Sequence, residues 1–128
     1  MENSGILDFN QKYRNRTKWF SINLYKTIDG IRKTEMIRSI YKQLIRSSTS
    51  VAANFHAAIR ARSQAEYYSK ICIVVEECDE TYFWLDWLMD GNFVDRSIIE
   101  PYLKEALELL SIFSKTKKKL QLKRESIK

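Results

Sequence analysis

The residues best suited to metal or redox chemistry are few: one histidine, His56, and two cysteines, Cys72 and Cys78. A zinc site draws its ligands from Cys, His and carboxylates, and a redox pair usually has the spacing C-x-x-C. The two cysteines are six residues apart, which is a turn of about 600° along a helix, so their thiols point to different sides. We therefore expect two ordinary apolar side chains in a reduced cytosolic protein, with no metal site and no cofactor.

Closely spaced carboxylates form the main acidic feature of the chain. They are Glu76, Glu77, Asp79 and Glu80. Metal pairs in helical bundles use Glu-x-x-His motifs, but no histidine follows three residues after any glutamate. We therefore interpret the cluster as a solvated acidic face. Part of it is expected to pair with a basic strip on the second helical segment, formed by Arg38, Lys42 and Arg46.

Serines of the second segment are the next candidates, as nucleophiles. The one candidate base for Ser47, Ser48 and Ser50 is His56, which lies eight residues beyond Ser48, or roughly 12 Å along a helix and outside hydrogen-bond reach. Glycine-rich phosphate loops and nucleophile elbows are also missing. We therefore expect no catalytic residues and no enzymatic activity. A metal or small molecule held between His56 and the acidic cluster would reverse this expectation.

Charge is distributed unevenly along the sequence. Residues 1–64 hold 12 Lys and Arg against 4 Asp and Glu, whereas residues 65–95 hold 1 against 8. The C-terminal tail, residues 115–128, has seven basic residues and one acid, so it carries the whole formal charge of +6. Such a tail is typical of proteins that bind nucleic acid or an anionic surface. It is also compatible with a solvated helix end whose lysines suit the helix dipole.

Ten basic side chains are candidates for phosphate contacts: Lys12, Arg14, Arg16, Lys18, Arg38, Lys42, Arg46, Lys117, Lys118 and Lys119. In the first segment they alternate with Tyr13 and Trp19, a mixture that can hold phosphates and stack bases. The alternative interpretation is that Tyr13 belongs to the core and the arginines are simply solvated. No recognisable DNA- or RNA-binding motif decides between the two.

The elements that would position these side chains are four long amphipathic segments. Apolar residues recur at three- and four-residue steps over about residues 7–28, 35–61, 64–90 and 98–124. The 3 glycines and 1 proline exclude most all-β architectures, which need frequent turn residues. Because the connections are short, we predict an all-α, antiparallel up-down-up-down four-helix bundle that forms a single domain over residues 1–128.

Local signals predict where the helices continue and where they end. The stretch Ser47–Ser50 resembles a loop by propensity, but the apolar stripe continues in phase across it, so we predict one unbroken helix. Thr34 is the predicted N-cap of that helix. Ser63 and Glu66 form a capping box before the third segment, and Gly91 is expected in the left-handed position at its end.

The third segment is apolar over more than one face. Beside its core stripe it carries a second set of large side chains, Ile73, Phe83, Trp84 and Trp87. Large aromatics exposed on a soluble monomer would be costly, so this set predicts an interface between subunits of a homo-oligomer. No apolar run approaches the roughly 18 residues of a membrane span. We therefore expect no membrane association and a cytoplasmic location.

Three blocks of sequence resemble the bacterial four-helix-bundle proteins encoded within 23S rRNA intervening sequences. They are LIRSSTSVAAN at residues 44–54, S-x-A-E-Y-x-x-K at 63–70 and E-x-x-E-T-x-x-W-L at 77–85. The residues that carry the resemblance are Arg46, Ser47, Ser50, Asn54, Ser63, Glu66, Lys70, Glu77, Glu80 and Trp84. The resemblance implies a bundle, often a homopentamer, without established enzymatic activity.

The same superfamily includes the accessory variability determinant of diversity-generating retroelements. For that relative the resemblance implies basic surfaces that bind nucleic acid and a reverse transcriptase. This chain departs from the family at Ala57, where an acidic residue commonly stands three positions after the motif asparagine, Asn54. We expect Asn54 to be a buried structural residue that needs hydrogen-bond partners and fixes helix register.

Two hypotheses for function follow from these observations. In the first, the protein is a homo-oligomer, by resemblance a pentamer, that binds structured RNA or DNA through the charge of the nucleic-acid backbone. In the second, it is a scaffold that binds another protein, such as a reverse transcriptase, and the basic tail is only solvated.

Overall fold

The computed structural model describes residues 4–127, and these form four α-helices and no strand. In chain order the helices are α1 (Ser4–Asp29), α2 (Glu35–Ala58), α3 (Gln64–Asp90) and α4 (Arg96–Ile127). The all-α part of the fold prediction is therefore confirmed. Residues 1–3 and Lys128 lie outside the described residues. They belong to the predicted domain, and Lys128 also belongs to its basic tail.

Helix packing creates one core to which all four helices contribute. α2 contacts α1 and α3, while α4 contacts α3 and, less extensively, α1. Aromatic rings fill part of this core, where Phe55 lies between Phe9 and Phe113 at centroid distances of 6.3 Å and 5.0 Å. Burying side chains of this size contributes about 1.5–3 kcal/mol each. No helix within residues 4–127 is long and apolar enough to cross a membrane.

The serine run lies inside α2, which confirms the prediction of one unbroken helix. Ser47 and Ser48 are both buried. Their hydroxyls donate to backbone carbonyl oxygens one turn earlier, those of Leu44 at 3.0 Å and Ile45 at 3.1 Å. Because the helix itself accepts these hydrogen bonds, burial of the apolar stripe outweighs the loop propensity of serine.

Both predicted N-caps are confirmed. The Thr34 hydroxyl accepts from the Ile37 N–H at 3.4 Å, and the Ser63 hydroxyl accepts from the Glu66 N–H at 3.1 Å. α2 ends at Ala58 rather than near residue 61, because the backbone hydrogen bonds change there from the α-helical to the 3₁₀ pattern. The N–H groups of the next residues, 60 and 61, donate to carbonyls three rather than four residues back, which narrows the last turn before Ser63.

Gly91 does not adopt the left-handed conformation predicted for it. Its φ is −78°, and the left-handed residue is Asn92, with φ of 56°. The Phe93 N–H donates to the Leu88 carbonyl and the Asn92 N–H to the Met89 carbonyl, both at 3.1 Å, which is a Schellman motif shifted by one residue. A Cβ at position 91 would meet the Phe93 ring, so a larger residue there requires this exposed ring to move.

The first and last helices, α1 and α4, are longer than their apolar stripes predicted. α1 begins at Ser4 and α4 runs from Arg96 to Ile127, whereas the predicted ranges were 7–28 and 98–124. The Asp95 carbonyl accepts from the N–H groups of residues 98 and 99, which starts α4 before its proline. The apolar periodicity of the sequence predicts Leu107 on the core face, but Leu107 is half exposed and Leu109 is buried, because Leu109 continues the three- and four-residue steps of that face.

Candidate nucleic-acid interface

The sequence blocks that carry the resemblance meet along the contact between α2 and α3. Arg46 Nη1 donates to Glu77 Oε2 at 2.9 Å, and its Nη2 donates to Glu80. Trp84 Nε1 donates to the same Glu80 oxygen at 3.3 Å. Hydrogen bonds to Glu80 and Glu77 raise the pKa of Arg46 above its ordinary value. The basic strip and the acidic cluster therefore do pair, at Arg46.

Beneath that ion pair a buried hydrogen bond joins the same two helices. Thr81 Oγ1 and Ser47 Oγ are 2.9 Å apart, and both residues are almost fully buried. Asn54 Nδ2 donates to the carbonyl and the hydroxyl of Ser50, each at 2.9 Å. Asn54 therefore has the hydrogen-bond partners predicted for it, and both partners lie within α2.

His56, the acidic cluster and the two cysteines were the candidates for metal or redox chemistry. Across residues 4–127 the structure has no group of three or more His, Cys, Asp and Glu side chains arranged to hold a metal ion. His56 is exposed on α2, away from the paired carboxylates of Glu77 and Glu80. Cys72 and Cys78 are free thiols, and burial, with smaller contributions from Glu77 and Asp79, raises the pKa of Cys78 to about 12.

The basic side chains of α1 divide into two kinds. Lys12, Arg14 and Lys18 are exposed, and within residues 4–127 no ion pair engages them. Arg16 instead forms a two-pronged hydrogen bond with Glu105 of α4, at 3.1 Å and 2.6 Å, and a third contact with Glu108 at 3.3 Å. Arg16 therefore joins α1 to α4, whereas its neighbours Lys12, Arg14 and Lys18 remain open to phosphate.

The other candidates for phosphate contact lie on α2 and α4. Lys42 and Arg38 are exposed on α2, one and two turns before Arg46 respectively. On α4, Lys118 and Lys119 are exposed and Lys117 is half-buried. The predicted basic tail is therefore helical as far as Ile127, so its side chains are held at fixed spacing rather than on a loose end.

Aromatic side chains remain at the surface of α3. Phe83, Trp87 and Phe93 are 54%, 37% and 51% exposed. The Trp87 and Phe93 rings stack at 4.9 Å with an angle of 15°, and Trp84 meets Phe83 edge to face. Phe93 was not among the predicted interface residues, because it reaches this surface only through the Schellman turn. Ile73 of the predicted set is half-buried. We call Phe83, Trp84, Trp87 and Phe93 the aromatic surface.

Comparison with known proteins places the chain in a family. The family model described as 23S rRNA-intervening sequence protein matches residues 10–115. The chain belongs to this family. A crystal structure of a protein with unknown function from the S23 ribosomal protein family of Bacteroides thetaiotaomicron is similar, with a TM-score of 0.70 and 27% identity over 82% of this chain and 97% of that one. No curated protein matches.

The family match covers part of the candidate interface and not all of it. The match contains the contact between α2 and α3 and the open cations of α1, Lys12, Arg14 and Lys18. It ends at Lys115, before Lys117, so most of the basic tail lies beyond it. Lys117, Lys118 and Lys119 thus lie outside the matched region.

Proposed function

We propose that this intervening-sequence family protein is a non-enzymatic homo-oligomer of antiparallel up-down-up-down bundles that binds structured RNA through its basic surfaces. Ring contacts that run in opposite order along α1 and α4 support the antiparallel arrangement. Tyr13 contacts Phe113 at 5.8 Å, whereas Phe20, later in α1, contacts Tyr102, earlier in α4, at 6.0 Å.

The observation that carries the RNA proposal is the combination of open cations and exposed aromatics on α1. Lys12, Arg14 and Lys18 are exposed without carboxylate partners in the described part of the chain, and Trp19 and Tyr25 are 52% and 54% exposed on the same helix. Cations hold the phosphate backbone, while aromatic rings stack on unpaired bases. A solvated face would not need the two large rings.

The aromatic surface of α3 supports the homo-oligomer part of the proposal. Exposed rings at Phe83, Trp87 and Phe93 form one apolar patch, which is the kind of surface that subunit interfaces cover. Repetition around a pentamer would multiply the formal charge of +6 per chain and so raise the affinity for RNA. The proposed location is the cytoplasm, where RNA occurs and where Cys72 and Cys78 would remain reduced.

The test measures affinity for a fragment of 23S rRNA by fluorescence anisotropy over a range of salt concentrations. The variant Lys12→Gln/Arg14→Gln removes two open cations and is expected to lower the slope of log K against log salt by about 2. The matched control, Arg96→Gln/Lys104→Gln, removes the same charge from two cations that already pair with Glu100, so its slope should stay near that of the wild type. Failure of the wild type to bind at about 50 mM salt, where such contacts are strong, would refute the proposal.

A protein scaffold is the second candidate, favoured by the acidic groups beside the aromatic surface. Asp86 and Asp90 line the same shallow depression as Phe83, Trp87 and Phe93, so a basic and apolar protein partner, such as a reverse transcriptase, would fit it. This candidate predicts that replacing residues 117–119 by alanine leaves the complex with that partner intact. Loss of the complex in a pull-down would count against it.

A further inference from the structure

An open cleft of about 830 Å³ lies where the start of α1, the turn between α2 and α3, and the end of α4 meet. Apolar and aromatic side chains, among them Phe9, Tyr67 and Leu120, line part of it. Tyr67 is half-buried, and this burial raises the pKa of its hydroxyl above the ordinary value. The cleft thus has the volume and the walls of a small-molecule or nucleotide site.

The charge of the cleft selects an anionic occupant. Arg62, Lys119 and Lys123 line it, and no carboxylate is among the described residues of its wall. Arg62 has one weak partner, Glu66, at 3.9 Å. Lys119 and Lys123 lie one turn apart on α4, and within residues 4–127 neither has an ion-pair partner. A phosphate at the mouth of the cleft would find two open ammonium groups at helical spacing.

Polar groups in the wall distinguish a nucleotide from an aliphatic anion. The side-chain oxygen of Asn10, Oδ1, is buried and accepts no hydrogen bond within residues 4–127, which is an unfavourable state for an amide. Asn10 is one of the residues that line the cleft. A nucleobase supplies an N–H donor for Asn10 and a flat ring for Tyr67 and Phe9, whereas an alkyl chain supplies neither.

We propose that this cleft receives one unpaired nucleotide of a structured RNA, with its base against Tyr67, its amino group on Asn10 and its phosphate between Lys119 and Lys123. The inference rests on the proposed RNA binding, since the nucleotide belongs to that RNA. It adds a preference for bulged over fully paired RNA, which backbone charge alone does not give. The helical tail beyond the family match then has a defined role as one wall of the site.

The test compares two RNA hairpins that differ by one unpaired adenosine in the stem. Anisotropy titrations at one salt concentration give the ratio of the two affinities for each protein. The wild type is expected to bind the bulged hairpin about tenfold more tightly, the effect of stacking one base on an aromatic side chain. Asn10→Leu and Lys119→Gln are each expected to reduce that ratio to about threefold or less. Asn10→Leu removes an unpartnered acceptor, so circular dichroism should show unchanged folding.

Two matched variants separate the cleft from general charge and surface effects. Lys118→Gln removes the neighbouring charge outside the cleft, and Asn15→Leu makes the same change as Asn10→Leu at an exposed position of α1. Both should keep the wild-type ratio. Equal binding of the two hairpins by the wild type, or equal effects of Lys118→Gln and Lys119→Gln, would overturn the cleft assignment and leave RNA binding standing. No binding of either hairpin would overturn both proposals.

Discussion

Single side chains in this core differ sharply in how well their polar atoms are satisfied. The Tyr41 hydroxyl is buried and has no hydrogen-bond partner among residues 4–127. The Tyr102 hydroxyl lies 2.6 Å from Thr27 Oγ1 and 3.1 Å from the Asn23 carbonyl oxygen, so it joins α4 to α1. A tyrosine hydroxyl therefore lowers the stability of the fold at position 41 and raises it at position 102.

The first prediction uses this contrast. Tyr41→Phe removes an unsatisfied hydroxyl and is expected to raise the free energy of unfolding by up to about 1 kcal/mol, whereas Tyr102→Phe should lower it by about 1–2 kcal/mol. Urea unfolding followed by circular dichroism measures both. The two variants delete the same atom and serve as controls for each other. Equal effects in the two variants would contradict the hydrogen-bond assignment.

Cys78 gives a prediction for pH dependence. Its thiol has a pKa of about 12 in the folded protein because of burial, against 9.0 for an unperturbed group. As pH rises above about 9, the unfolded chain loses this proton and the folded protein keeps it, so unfolding becomes easier by about 1.4 kcal/mol per pH unit up to pH 12. Below pH 9 the thiol should have no effect.

The measurement compares urea unfolding of the wild type with that of Cys78→Ala between pH 8 and pH 11. Lysines and tyrosines titrate in both proteins, so the difference between their stability profiles isolates the thiol. Stability of the wild type should fall more steeply above pH 9 than that of the variant. Parallel profiles would show that Cys78 is not buried as described.

Arg16 and Arg46 show what a sequence predicts about single residues and what it does not. Both were candidates for phosphate contacts because they lie among other cations. In the structure Arg16 pairs with Glu105, 89 residues away, and Arg46 pairs with Glu77 and Glu80. Residue type identifies a cation, but its partner depends on which helix faces meet. The pairing between α2 and α3 was foreseen as a whole, and the pairing between α1 and α4 was not.

At the scale of elements, the sequence predicts periodic features better than helix ends. The apolar stripe through α2 is long enough to outweigh the loop propensity of its serines. The N-caps at Thr34 and Ser63 follow from local side-chain chemistry. The end of α3 at Asp90 matches the prediction, but the left-handed conformation expected at Gly91 is adopted by Asn92. The hydrogen bonds that the Asn92 and Phe93 N–H groups donate to Met89 and Leu88 accompany this conformation, and sequence spacing does not reveal them.

Asn92 carries the prediction at this scale. Its φ of 56° is strained for most residues, is tolerated by Asn and is free of strain for Gly. Asn92→Gly is therefore expected to raise the free energy of unfolding by up to about 1 kcal/mol, and Asn92→Ala to lower it by about 1 kcal/mol. Thermal unfolding of both variants measures the effect. A stabilising Asn92→Ala would show that α3 does not end in this Schellman motif.

On the scale of the whole molecule, the exposed aromatic side chains and the open cations lie on different surfaces. The aromatic surface lies on α3 and the turn that follows it, beside Asp86 and Asp90. The open cations lie on α1, α2 and the end of α4. If subunits associate through the aromatic surface, the cations remain available for RNA. Oligomer formation and RNA binding should then be separable by mutation.

The last prediction tests that separation. Phe83→Ser/Trp87→Ser removes two exposed rings from the aromatic surface and is expected to convert the oligomer to a monomer. Sedimentation velocity at about 20 µM protein measures this, a concentration at which an interface with a Kd near 1 µM is mostly formed. Trp19→Ser, which removes an exposed ring from α1, is the matched control and should leave the oligomer intact.

A comparison of the wild type with Phe83→Ser/Trp87→Ser also tests whether RNA affinity depends on the oligomer. Loss of the oligomer reduces the number of cations that one RNA molecule can contact at once, so the double variant should bind more weakly and with a shallower salt dependence. Each free subunit keeps Lys12, Arg14 and Lys18, so binding should persist at low salt. A monomeric wild type would contradict the interface, whereas a monomeric variant with unchanged RNA affinity would show that a single subunit supplies the whole RNA site.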